Sequence, residues 1–460
     1  MKTIKIVVVL AFAANCQLAS GVVTTNYVDL AERSEHPNAY RDIQTAIDEL
    51  PLSGDVVAVE PGTYKLSVPL TSSKAFKLIA LSSDCTQTTI DGDCKVHCCE
   101  FSGNPTEIIG FTIQNGMGES TDNGSALIAG SICKVRNCLF TGNRGAKSAV
   151  YLSATGSSVL DSKIVRNESV GYGALNVAKA SVVSNCTIST NISTGPDKNT
   201  CRAPGLVLSA PEGCRVVDCL IAENSATIKG AVGGGIYVDI RGVRDLLIER
   251  CIIRNNRLPG GNGQGSAFYG GSKGDKNVGI SLTMRNCLID NNQGLSSFYL
   301  SAFPNMKAEF CSCTFVNNSN TNSLFAFYNT TDNPGNLLLR NCLFYGNSSS
   351  KMQDAPEIPV EMSGFPGNIT HSFTSNGRGL SASVELHNIV NLGQPGFVGY
   401  GEGDFRLKRS SGLVGVGCVE DWMTSTTDLT RTMPRLAKNG LVDIGCYQAL
   451  RNDGILVIVR

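Results

Sequence analysis

The sequence predicts an all-β fold, a parallel β-helix, and three observations carry that prediction. A short unit built around a cysteine recurs along the middle of the chain. Each unit keeps apolar residues and an asparagine in fixed columns. The composition is low in charge, 17% Asp, Glu, Lys and Arg, and high in glycine, 49 of 460 residues, as short strands joined by many turns require.

The N-terminus comes first. Lys2 and Lys5 precede an apolar run from Ile6 to Ala14, followed by small residues. That is the layout of a secretory leader, assigned to residues 1–21. The run is too short to span a bilayer, and no later segment is long and apolar enough to do so. Residues 40–50, YRDIQTAIDEL, place Ile43, Ala46, Ile47 and Leu50 on one helical face. A strand and a Pro-Gly turn follow in GDVVAVEPGTY, residues 54–64. A helix here would cover the open first coil of a stack, whose strand edges would otherwise pair with other chains.

The repeat follows. Aligned on the cysteine, the units read VRNCLFTGN, VLDSKIVRN, VSNCTISTN, VVDCLIAEN, IERCIIRNN, MRNCLIDNN, FCSCTFVNN and LRNCLFYGN. The central residues are Cys138, Ser162, Cys186, Cys219, Cys251, Cys287, Cys313 and Cys342, with gaps of 24 to 36 residues, the spacing of a solenoid. Three positions earlier stands an apolar residue: Val135, Val159, Val183, Val216, Ile248, Met284, Phe310 and Leu339. Two positions later stands another: Phe140, Ile164, Ile188, Ile221, Ile253, Ile289, Phe315 and Phe344. Five positions later is always asparagine: Asn143, Asn167, Asn191, Asn224, Asn256, Asn292, Asn318 and Asn347.

Strand parity places the cysteine and the residue two after it on one face. The apolar residue three before breaks that parity, so a corner lies between. The residue just before the cysteine is Asn or Asp in six of eight units, which suits a tight bend with unusual dihedrals. Upstream strands open on small residues, as in SAVYLS (148–153), GALNV (173–177), GGIYV (234–238) and SAFYG (266–270). Coils of this kind stack about 4.8 Å apart, like over like, and the asparagines bond along the stack as a ladder.

Eighteen cysteines in an exported chain first suggest disulfides. Seven of them instead form one inward column where a small hydrophobe packs, with bridges between neighbouring coils geometrically open. No metal is expected, because a straight stack cannot give tetrahedral ligation and no histidine joins it. Cys85, Cys94, Cys98 and Cys99 cluster near His97 and read as a disulfide or inert thiols rather than a zinc site.

IQTAIDEL, GDVVAVEPGTYK, TTIDG (88–92) and IIGFTIQNG (108–116) resemble the entrance and first full coil of the right-handed, pectin-lyase-like β-helix superfamily, and the resemblance covers roughly residues 27–349. In the tail, PGFVGYGEGDFRL (395–407), SGLVGVGC (411–418) and VDIGCYQA (442–449) resemble the C-terminal module of bacterial choice-of-anchor Q domain proteins, with Cys446 and Gln448 departing from the usual pattern. The resemblance implies a right-handed helix over residues 22–349 and a C-terminal module over 350–460, packed on the helix or ending it.

Members of that superfamily include polysaccharide lyases, glycoside hydrolases and esterases, and each chemistry has requirements. The sequence holds no adjacent Asp pair; Asp91-Gly92-Asp93 lies in the entrance turn, and Arg406-Leu407-Lys408 in the tail. The four histidines, His36, His97, His371 and His387, stand outside the repeat columns, which disfavours a Ser-His-Asp site. The remaining candidates are binding residues. Arg254 and Asp290 should be stack neighbours near the insertions at 257–265 and 270–279, and Asp239, Arg241 and Arg244 belong to the same region. An outward apolar row, Leu139, Leu220, Ile252, Leu288 and Leu343, should be covered by long loops or by the tail. Tyr237, Tyr269, Phe298 and Tyr299 could stack on sugar rings or fill the core.

A net charge of zero argues against nucleic acid as a partner. The expectation is a secreted or cell-surface monomer that needs no cofactor and either binds polysaccharide or cell-surface glycan or serves as a structural, adhesive rod. The alternative is a lyase or hydrolase acting on an acidic polysaccharide.

Overall fold

The structure, a computed structural model, describes residues 23–449 apart from 32–35, 37, 196–201, 240–244, 260–262, 272–280, 303–306, 330–335, 351–359, 364–366, 375–383, 388–392 and 437–439. The expected leader therefore lies outside the described residues. The described chain winds as a parallel β-helix with three long faces. Sheet 1 runs from Thr25–Val28 to Val384–His387, sheet 2 from Gly62–Lys65 to Phe373–Thr374, and sheet 3 from Leu70–Ser72 to Ser348–Ser349.

The sequence columns are the register of these sheets. In sheet 1 Val135 pairs with Val159, Val159 with Val183, Val183 with Val216, and so on to Leu339. In sheet 2 the line runs from Phe140 through Ile164 to Phe344. Both columns are buried. Each such aliphatic side chain contributes roughly 1.5–3 kcal/mol on burial, so the stack is held along its whole length rather than by one central core.

Two corners make the winding possible. The residue before each cysteine has a positive φ near 50–58°: Asn137, Asp161, Asn185, Asp218, Arg250, Asn286, Ser312 and Asn341. Asn and Asp enter this left-handed region readily. Arg250 and Ser312 do so because the register demands it, at a cost of roughly 1–2 kcal/mol each. Arg250 recovers part of that cost by donating to the Asp218 carboxylate at 2.7 and 3.2 Å. The second corner precedes the ladder asparagine and also has positive φ, for example Gly142 at 67° and Asn255 at 55°.

The asparagine ladder is continuous. Each side-chain Nδ2 from Asn143 to Asn318 donates to the Oδ1 of the next ladder residue at 2.9–3.1 Å. Each of those Oδ1 atoms also accepts the backbone N–H of the preceding ladder residue at 3.0–3.1 Å. At the other edge of sheet 2, the cysteine column is buried and every described cysteine is a free thiol. Cys186 donates to the Val159 carbonyl at 3.3 Å, and burial pushes the Cys138 thiol up to about 12. Ser162 fits the same slot by donating to Leu160 O at 2.7 Å.

The helix Ile43–Asp48 (α1) sits at the first coil. Asp42 caps it, accepting from Thr45 N at 2.8 Å, and Ile43, Ala46 and Ile47 are buried. At the other end the tail lies along the solenoid. Asn341 Oδ1 accepts from Cys418 N at 2.8 Å, Arg250 donates to Thr426 Oγ1 at 2.8 Å, Asn286 donates to Thr427 O at 3.0 Å, and Arg431 donates to Asn185 Oδ1 at 3.1 Å. The segment thus straps the corner residues of four coils. It returns so that Phe397, Phe405, Leu413 and Ile444 bury Leu288 and Leu343 of the outward apolar row, with Ile252 partly covered. Leu139 and Leu220 stay half-buried.

Asn224→Ala should destabilise the chain by about 3 kcal/mol or more, because it strands the Asn191 backbone and side-chain donors and the Ile188 carbonyl inside the wall. Urea unfolding checks this, with Lys134→Ala, at an exposed ion pair, staying near the wild-type midpoint.

Candidate functional site

From Cys138 onward insertions border sheet 3, because the corner between sheets 1 and 2 turns there on a single positive-φ residue; an early coil differs, with residues 81–87 inserted at that corner. Sheet 3 therefore has loops along both edges, and its outer face carries a groove with a volume of ≈ 600 Å³.

The groove arises from one outward column. In register, Tyr151 is followed by Asn176, Val207, Tyr237, Tyr269 and Tyr299. The side chains drop from a ring to an amide and an isopropyl group, then rise to a ring again. The step leaves a notch beside Tyr151 and over Asn176, with Val207 and Tyr237 buried beyond it. Its floor is made of small residues, with Ser209 donating to Asn176 Oδ1 at 2.8 Å. Lys147 and Tyr172 line one side and Lys179 the other. Lys147 donates to Thr121 O at 2.8 Å, and Lys179 pairs with Glu212 at 2.6 Å. Asp239 closes the end, paired in register with Ser209.

Beyond the notch the three tyrosines stack, Tyr237 on Tyr269 at 5.3 Å and Tyr269 on Tyr299 at 4.8 Å, nearly parallel. Arg202 reaches over the rings of Tyr172 and Tyr237, at 5.3 and 5.4 Å from their centroids. Burial holds the Tyr269 phenol well above its usual range, so it is neutral at physiological pH. The site thus combines rigid aromatic edges, an amide, hydroxyls, two lysines and a carboxylate in one concave surface.

The sequence candidates divide between two faces. Arg254 and Asp290 are stack neighbours, as their spacing indicates, and form an ion pair at 3.0 Å. They lie on sheet 2, away from the groove. Gly403 of the tail stands against Arg254, and Ile252, Leu288 and Tyr447 pack in one cluster beside the pair. Asp290 is 2% exposed, and burial raises its carboxyl to about 6 against the opposing pull of Arg254. Asp239 is the candidate that reaches the groove. Arg241 and Arg244 lie outside the described residues. Of the four aromatic candidates, Phe298 belongs to the core, packed against Phe310, Phe315 and Phe325, and the three tyrosines face outward.

Sequence reasoning missed Tyr151, Tyr172, Asn176, Lys147, Lys179 and Arg202. A signal existed for two of them: in SAVYLS and GALNV the residue after the inward apolar one is Tyr151 or Asn176, the column that continues to Tyr237. Among the described residues Glu309, Cys311 and Glu420 are grouped closely enough to share an ion. Each carboxylate already has a cation, Lys307 at 3.4 Å and Arg340 at 3.0 Å, and the group acts as a clasp between sheet 1 and the tail.

A family model described as "Right handed beta helix region" matches residues 91–280. The search of curated proteins returned no match to this chain. Similar solved structures include pectate lyase Pel9A, at 13% identity and TM-score 0.40 over 93% of this chain and 98% of that one. The PL6 family polysaccharide lyase Pedsa3628 from Pseudopedobacter saltans aligns at 12% identity and TM-score 0.37, covering 85% and 97%. Pectin methylesterase PemA from Erwinia chrysanthemi aligns at 11% and 0.31, covering 59% and 80%.

Because the folded-state pKa of Asp290 lies above its unfolded value, near 3.9, the folded state binds the proton more tightly. Stability from this group is fully present below pH 4 and is lost as pH rises through 6. Relative to wild type, Asp290→Asn should therefore gain about 2 kcal/mol between pH 4 and pH 7.5, read from denaturant midpoints at the two pH values.

Proposed function

We propose that this chain, a right-handed parallel β-helix, is an exported protein that binds a saccharide chain along the outer face of sheet 3 without chemically altering it. The observation that carries this reading is the notch lined by Tyr151 and Tyr172. It is bounded by aromatic rings and floored by Asn176 and Ser209, so it offers apolar faces together with hydrogen-bonding groups. A pyranose has the same mixture of apolar face and hydroxyl rim.

Binding without catalysis is supported by the charge of the lining. Among its described residues Asp239 is the single carboxylate, where glycoside hydrolysis by an acid and a second carboxylate needs two. Both lysines of the lining are held by other partners, which suits orientation of hydroxyls. Export is supported by the leader-like first 21 residues. No described helix is long and apolar enough to cross a membrane.

Calorimetric titration with a panel of neutral and acidic oligosaccharides tests the reading. Tyr151→Ala should weaken the best ligand at least tenfold and Asp239→Asn by a few-fold, with the unfolding midpoint unchanged. Wild-type affinity in Tyr151→Ala would overturn the assignment of the groove. Release of unsaturated products or new reducing ends during the titration would overturn the non-catalytic part and establish a lyase or hydrolase.

A further inference from the structure

Six consecutive coils place a thiol in the same slot: Cys186, Cys219, Cys251, Cys287, Cys313 and Cys342. Ser162 occupies the slot before them and Ser372 the slot after, each accepting from a neighbouring column N–H at 3.1 Å. The carbonyl of each of the first five cysteines accepts the backbone N–H of the residue following the next cysteine at 2.8–3.0 Å, so the slots are in register. All six thiols are at most 2% exposed. Each sulfur stands against the sulfur of the next coil.

The stack repeat of about 4.8 Å holds Cβ atoms beyond the roughly 3.5–4.5 Å that a disulfide needs, so the column stays reduced. The same repeat fits a metal ion. A metal–thiolate bond is roughly 2.3 Å long, so an ion midway between two sulfurs, in line with both, spans roughly 4.6 Å. The thiol protons are expendable. Each thiol donates to the carbonyl two residues back at 3.2–3.5 Å. Each of those carbonyls already accepts a corner N–H at 2.8–3.1 Å, so loss of the thiol proton strands none of them. From Cys186 to Cys313 each sulfur also accepts the backbone N–H of the column residue one coil earlier, a donor that favours the thiolate.

We propose that this column binds soft divalent metal ions that take two thiolates in line, the chemistry of mercury(II), with one ion in each of the pairs Cys186–Cys219, Cys251–Cys287 and Cys313–Cys342. The straightness that excludes tetrahedral zinc is what a two-coordinate ion requires. In each pair two S–H bonds break, two metal–sulfur bonds form and two protons leave to solvent, so the ion and its two thiolates are neutral together. A monovalent ion would leave one negative charge per pair in an apolar wall, which is costly. The folded wall closes the thiols to solvent, so the ion enters while the coils are open and its binding energy becomes folding energy. Ser162 and Ser372 end the run, because a hydroxyl is a poor ligand for a soft ion.

The test unfolds the full chain in urea, refolds it with mercury(II) chloride, washes it with excess monothiol to strip accessible cysteines, and counts retained mercury by elemental analysis. The wild-type chain should refold to its β-sheet circular dichroism signature with a raised urea midpoint. Serine fits this slot, as Ser162 and Ser372 show, so two double variants with equal thiol counts separate pairing from cysteine content. Cys251→Ser/Cys287→Ser removes one pair and should retain one ion fewer than wild type. Cys219→Ser/Cys287→Ser leaves Cys313–Cys342 as the single pair of column neighbours and should retain two fewer. Equal retention in the two variants would overturn the proposal. So would a wild-type midpoint that falls with mercury, since the ion would then favour the unfolded thiols. Zinc chloride retained in the same variant-dependent numbers would overturn the linear geometry.

Discussion

The buried asparagine ladder is the interaction on which the rest of the structure depends. Each ladder side chain satisfies a carbonyl of the coil before and the amide oxygen of the coil after, so a slip by one residue would leave several buried polar groups unpaired at once. That penalty locks every coil to the next. Once coils are locked, each sequence column becomes a physical line, and the same side-chain type meets itself every 4.8 Å or so. The cysteine column follows from the same lock. Only a small side chain fits beside the corner, and Ser162 can replace a thiol there because it makes the same bond to a carbonyl two residues back.

The lock also decides where function can be placed. From Cys138 onward the corner between sheets 1 and 2 turns on one positive-φ residue and carries no insertion, so variation there collects at the two edges of sheet 3. The outer face of sheet 3 is therefore walled by loops, and its groove is shaped by which residue each coil contributes to one column. Sheet 2 meets a different fate. Its outward leucines would be a bare apolar stripe, and the tail lies over Ile252, Leu288 and Leu343 while its polar backbone bonds to the corner asparagines Asn286 and Asn341. The left-handed corners point their side chains outward, which makes them natural anchor points for that strap.

Much of the fold was legible because a solenoid writes its register into the sequence. The ladder, both inward apolar columns, the asparagine-rich corner and the entrance helix all follow from period and parity. Legibility failed where identity changed without changing geometry. Ser372 continues the cysteine column, accepting from Cys342 N at 3.1 Å, with His371 at the corner at φ 47°, yet HSFT does not look like NCLF. For the candidate site, stacking of Arg254 on Asp290 could be read, because neighbours in a column are neighbours in space. Which face remains open to a ligand could not, since that depends on where a tail distant in sequence folds back. Phe298 and Tyr299 illustrate the same limit: adjacent aromatics must alternate in and out, but parity alone does not say which is which until the whole strand is placed.

The central claim is that a column step on sheet 3, created by coil-to-coil register, forms a saccharide site. A crystal structure of the protein soaked with the tightest-binding oligosaccharide tests it most directly. The account predicts a sugar ring seated over Asn176 between Tyr151 and Tyr172, with a hydroxyl within hydrogen-bond distance of Asp239 or Ser209. A ligand bound with the notch empty, for instance along the strapped face of sheet 2 over Arg254 and Asp290, would contradict it.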